Sequence, residues 1–98
     1  MNLTEMFNIP TNKFDFFIRS VEISSYIPGR TRLYSKELIG NEPLKEKILN
    51  VLNLPEINSV DINTVSGSIL IAYDPATLRK NSELKKDEEY IMSHTRRK

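Results

Sequence analysis

The 98-residue chain has no cysteine, no tryptophan, one histidine and only three glycines. Without thiols it can form no disulfide, thiolate zinc site, iron–sulfur ligation or cysteine nucleophile, and one imidazole cannot build an all-histidine metal cage within one chain. Gly29, Gly40 and Gly67 stand apart, so there is no glycine-rich phosphate loop. No window approaches the roughly 18 apolar residues a membrane helix needs, and residues 1–10 lack the basic and apolar regions of a secretory leader. A cytoplasmic chain with no membrane partner is the expectation. A dominant charge is missing too: 14 Lys+Arg stand against 13 Asp+Glu, a formal net charge of +1, which steers only weakly towards nucleic acid. The basic excess is terminal, because residues 76–98 hold seven basic and four acidic side chains. A chain of this length buries only about 60–65% of its unfolded surface, enough for one modest core and no deep active site.

Residues 1–12 are polar, end in Ile9, Pro10, Thr11 and Asn12, and read as an N-terminal tail. From 13 to 35 the chain is rich in aromatic and β-branched residues, with Val21, Ile23 and Ile27 on one parity, which is strand patterning. Pro28 and Gly29 interrupt it. Proline presets the first central position of a turn and glycine accepts the positive φ that follows. A hairpin and a bulged long strand both fit; a three-residue loop over 28–30 keeps the apolar parity and favours the hairpin. Asn41 can cap a helix with Glu42 and Pro43 in its first turn, and Leu44, Ile48, Val51 and Leu52 supply its inner stripe. Pro55 biases Leu54 out of helical geometry, so the helix stops near Asn53. Residues 57–63 and 68–73 read as strands joined through Thr64, Val65, Ser66 and Gly67, and the second is apolar on both parities, as a central strand is. Asp74 and Pro75 open a further helix. Ser82 can cap a last one whose thin apolar stripe, Leu84, Ile91 and Met92, predicts loose docking before the basic end at Arg96, Arg97 and Lys98.

Strand, helix, strand, strand, helix is the run of a ferredoxin-like α+β sandwich, an antiparallel sheet covered by helices on one face. Its final strand is absent. Residues 16–27 are the natural replacement, placed by the turn at 28–29 on the edge left vacant, with a strand from a partner chain as the other way to fill it.

Four blocks, Tyr26-Ile-Pro-Gly-Arg-Thr-Arg-Leu-Tyr34, Leu38-Ile-Gly-Asn41, Leu54-Pro-Glu-Ile-Asn-Ser-Val60 and Asn63-Thr-Val-Ser-Gly-Ser-Ile-Leu-Ile-Ala-Tyr-Asp-Pro75, resemble the heavy-metal-associated (HMA)-like domain family of bacteria and archaea. The resemblance covers roughly residues 20–76. It implies a ferredoxin-like domain over 13–80, followed by a basic helix or tail over 81–98, and a role as a binding module accessory to metal-ion or cofactor handling. Metal-binding members of that family hold their cation with a Cys-x-x-Cys pair in the loop before the first helix. Here that loop, residues 35–41, has neither sulfur nor histidine, so the metal site is not carried over and no cofactor is expected.

Arg30 and Arg32 lie two apart on a strand and so share a face, and parity adds Tyr26 and Tyr34 to it. This Arg/Tyr patch on the helix-free face is the candidate site for a ligand or partner: arginine donates in a planar fork to carboxylate or phosphate, and tyrosine offers a stacking surface. Long amphipathic side chains covering an exposed sheet give the same pattern without any function. Apolar residues of 69–73 beside the arginines make the face a candidate for self-association as a homodimer, or for another protein or a small anion. RNA is the rival, since RNA-recognition modules share this architecture, but the basic and aromatic signature they need is missing. Pro28, Gly29 and Gly67 are assigned to turns. No pair of carboxylates is placed for acid–base catalysis, so no enzymatic activity is expected.

Overall fold

The structure, a computed structural model, describes residues 13–95. The expected N-terminal tail and the final Arg96, Arg97 and Lys98 lie outside the described residues. Helix α1 (Lys13–Ser20) leads into strand β1 (Glu22–Ile27), which turns back as β2 (Arg30–Tyr34). A 3₁₀ turn (Lys36–Leu38) precedes α2 (Glu42–Val51). Strands β3 (Ile57–Asn63) and β4 (Ser68–Tyr73) follow, then the short α3 (Pro75–Leu78) and α4 (Ser82–His94). All strand pairs are antiparallel and the sheet order is β1-β2-β4-β3. β4 is therefore central, as its double-sided apolar sequence requires, and the vacant edge is filled by this chain's own N-terminal strand.

Two expectations about that N-terminal segment are corrected. Residues 16–20 are helical, and only Glu22–Ile27 is strand. Phe14, Phe17 and Ile18 recur at i, i+3, i+4 and bury together, while Asp15 and Arg19, four apart, pair at 3.1 Å on the same helix. The hairpin loop is two residues long, Pro28 and Gly29, because Ile27 pairs with Arg30. Gly29 adopts φ +89°, and a Cβ there would sit 3.0 Å from the Tyr73 carbonyl oxygen. A bulge between Ile23 and Ser25 then shifts the register by one residue. As a result Ile23 and Tyr26, three apart, both face the helices, and Ile27 is left 60% exposed.

The core lies between one face of the sheet and the helices. Ile23, Thr31, Leu33, Ile62, Ile69, Ile71 and Tyr73 meet Phe17 and Ile18 of α1, Leu44 and Ile48 of α2, and Leu84 and Ile91 of α4 in one cluster. Thr31 is 1% exposed and satisfied, its hydroxyl donating to the Ser25 carbonyl at 3.1 Å. The helix starts follow their caps: Asn41 Oδ1 accepts from Leu44 N–H at 3.1 Å and Asp74 Oδ1 from Ala76 N–H at 3.0 Å. The last helix is capped by Asn81 rather than Ser82, its Oδ1 accepting from the Glu83 and Leu84 amides. It is also not loosely docked. Leu84, Asp87, Glu88 and Ile91, at i, i+3, i+4, i+7, are all buried, and α4 packs on α1 and β1. The stripe reads as thin because two of its four inward positions are acids.

Candidate functional site

The sheet face away from the helices is set by the alternation along β2, where Arg30 and Arg32 are exposed and Thr31 and Leu33 buried. Strand pairing lines up three rows across it: Ile27, Arg30, Ala72 and Ser59; then Ser25, Arg32, Leu70 and Asp61; then Glu22, Tyr34, Ser68 and Asn63. Arg30 and Arg32 are thus brought together with Tyr34, as expected, above the half-buried Leu70 and Ala72 of the central strand. Neither arginine has a hydrogen-bond or ion-pair partner among the described residues, so both guanidinium groups are available to an incoming carboxylate or phosphate. Arg32 and Asp61 also line a shallow concavity of about 380 Å³ together with Ser68 and Leu70.

Tyr26 is not part of this face. The bulge in β1 sends it to the helix side, where its hydroxyl donates to Glu88 Oε2 at 2.8 Å. Tyr73 donates to the same oxygen at 2.7 Å, and Arg79 closes the cluster through Nε to Oε1 at 2.7 Å and Nη2 to Oε2 at 3.2 Å. Glu88 is 3% exposed. Burial raises its carboxyl pKa, but the hydrogen bonds from Arg79, Tyr73 and Tyr26 together outweigh it and hold Glu88 below the usual range. Burial, followed by the bond to Glu88, raises both tyrosines. This cluster ties β1, β4 and the end of α3 to α4.

A second carboxylate on α4 has the opposite character. Asp87 is 2% exposed, and its Oδ2 finds no partner among the described residues. Burial first, and then the hydrogen bond and charge of Asp15, push its pKa up to about 8. Asp15 moves down, chiefly through its hydrogen bond to Asp87 and, against the cost of burial, through Arg19. The two carboxyls thus act on one another in opposite directions where α1 packs on α4. Arg19 lies over the Tyr90 ring at 4.5 Å, and that ring in turn stacks on exposed His94 at 4.0 Å. Sequence reasoning missed both acidic positions; completing the i, i+3, i+4, i+7 stripe from Leu84 to Ile91 is the signal that points to them.

The loop before α2 is held rather than open. Ser35 N–H donates to the Gly67 carbonyl and Gly40 N–H to the Thr64 carbonyl, each at 2.9 Å. Gly67 is required there: its φ is +81° and a Cβ would meet the Ser35 carbonyl oxygen at 2.6 Å. Ser35 is 7% exposed, and its Oγ already accepts from the Glu37 amide. With a committed hydroxyl, an exposed Lys36 and no sulfur, the loop has no donor set for a soft cation. Among the described residues no group of three His, Cys, Asp or Glu is placed to hold a metal.

An antiparallel sheet with helices on one face and the other left open defines a ferredoxin-like sandwich, in which the open face and the strand-to-helix loops are the surfaces free to bind. This chain belongs to the Heavy metal associated domain 2 family, whose model matches residues 11–86. No curated protein and no solved structure matches it. The class is that of metal-associated binding modules.

Proposed function

We propose that the chain is a non-enzymatic, cytoplasmic binding module whose working surface is the open sheet face, and that it serves metal-ion or cofactor transport and homeostasis by contact with a protein rather than by holding the metal. The observation that carries this reading is the pair of exposed arginines, Arg30 and Arg32, without a partner among the described residues and set beside Leu70 and Ala72 on one face. Arginine beside apolar surface is a combination enriched at interface centres. A small anion bound in the concavity beside Arg32 is the second reading, favoured by Arg32, Ser68 and Asn63 and opposed by Asp61, all of which line it.

The experiment compares the parent with two double variants, Arg30→Ala with Arg32→Ala and Lys36→Ala with Glu37→Ala, in affinity capture followed by mass spectrometry. The arginine variant is expected to lose its specific partners while keeping its melting temperature, because exposed strand positions contribute within about 0.5 kcal/mol each. The loop variant is expected to keep them. Capture unchanged by loss of both arginines overturns the reading.

A further inference from the structure

Resting on the reading that the open face binds protein, we infer that this face is self-complementary and joins two copies of the chain about a two-fold axis running along β4. In the middle row of the face, Arg32 on β2 and Asp61 on β3 stand on either side of Leu70 on β4, each one strand away from it. A two-fold axis along β4 exchanges the two sides. It sets Leu70 on the partner's Leu70 and Ala72 on the partner's Ala72, Arg32 on the partner's Asp61, and Asp61 on the partner's Arg32. In the flanking rows Arg30 meets the partner's Ser59, and Tyr34 meets the partner's Asn63, so no like charges meet. An isologous contact requires this property, that each residue's opposite number also sees it.

The alternative axis, across the strands, fails. It lays Arg32 on the partner's Arg32 and Asp61 on the partner's Asp61, and like charges set face to face oppose the contact. Asp61 and Arg32 are both exposed, and neither has a partner among the described residues, so the pairing displaces no existing bond. Both also line the concavity over Leu70. Sheets stack face to face about 10 Å apart at roughly 30°, a separation that arginine spans readily. Three strands at about 4.8 Å spacing present a small area. The dimer is therefore weak, dependent on concentration and loosened by salt.

Sedimentation velocity over a concentration series to about 1 mM reads the association directly, the range suiting an interface at the small end of the scale. The parent is expected to dimerise. Arg32→Asp and Asp61→Arg, made singly, are each expected to weaken association about tenfold or more, and the double exchange in one chain is expected to restore it. Circular dichroism reports whether each variant folds. Backbone amide shifts of the parent on dilution need no variant, and are expected to change along β2, β4 and β3 while α2 stays still. A parent that is monomeric throughout, single variants that dimerise like the parent, a double exchange that does not recover, or dilution shifts confined to the helices each overturn the inference. A monomeric parent whose arginines still capture another protein defeats the dimer and leaves the open-face reading standing. Capture that ignores the arginines defeats that reading instead.

Discussion

Glu88 sits at 3% exposure with its charge intact because three side chains from different parts of the chain converge on two oxygen atoms. A buried charge persists only when its hydrogen bonds replace lost water, and removing it strands the donors it served. Glu88→Ala is expected to lower stability by about 3 kcal/mol, since it leaves the buried Tyr73 hydroxyl and the half-buried Tyr26 hydroxyl without their acceptor. Tyr73→Phe removes one bond and leaves the others, so about 1 kcal/mol is expected. Urea denaturation of the two variants beside the parent checks the order, and equal losses would contradict a shared acceptor.

Between elements, α1 and α4 pack through apolar residues and set two carboxyls, Asp15 and Asp87, against one another. Asp87 has its pKa raised in the folded chain to about 8, so its contribution is complete below the ordinary aspartate value and is lost as pH rises through about 8. Asp15 is lowered, and its contribution has the opposite sign: it is present above the ordinary value and is lost as the solution becomes strongly acid. The groups facing Asp87 are Asp15 and Arg19 from α1 and Glu83 on its own helix. Between about pH 5 and pH 9 the Asp87 effect governs, and the packing of α1 on α4 is expected to weaken across that window. Asp87→Asn keeps the shape and cannot ionise. Its melting temperature should exceed the parent's near pH 9, with the gap closing towards pH 5; parallel melting profiles would show that the pair is not the cause.

Taken as a whole molecule, the domain keeps the family's scaffold while its loop before α2 offers a cation little. The chain has no cysteine, and its one histidine, His94, is stacked on Tyr90 with Nδ1 2.9 Å from the Tyr90 carbonyl oxygen. Tight copper and zinc sites are built on cysteine or histidine, with carboxylates completing the set for zinc, and among the described residues no three His, Cys, Asp or Glu converge. Calorimetry at neutral pH is expected to show no tight equivalent of Zn²⁺ or Cu⁺ per monomer. One tight equivalent per monomer would refute this, and uptake that appears only in an oligomer and vanishes in His94→Ala would place the site between chains.

Local chemistry in the sequence determined α2, the strands β3 and β4, the turns at Gly29 and Gly67 and the sheet order. Caps, prolines, glycines and period-2 alternation act over a few residues, and a missing last strand leaves one edge to fill. The face carrying Arg30, Arg32 and Tyr34 was legible for the same reason. The rest depended on contacts between segments far apart in the chain. The aromatic run from Phe14 to Ile18 suits a strand as well as a helix until α4 offers its inner face to pack against. Tyr26 changed sides through one bulge at Ser24, because a register shift of one residue turns every following side chain over. Asp87 and Glu88 read as surface acids on a charged helix. The groups that let them be buried lie far away in sequence, Tyr26 being 62 residues from Glu88, and no local pattern records a hydrogen bond that the fold alone brings within reach.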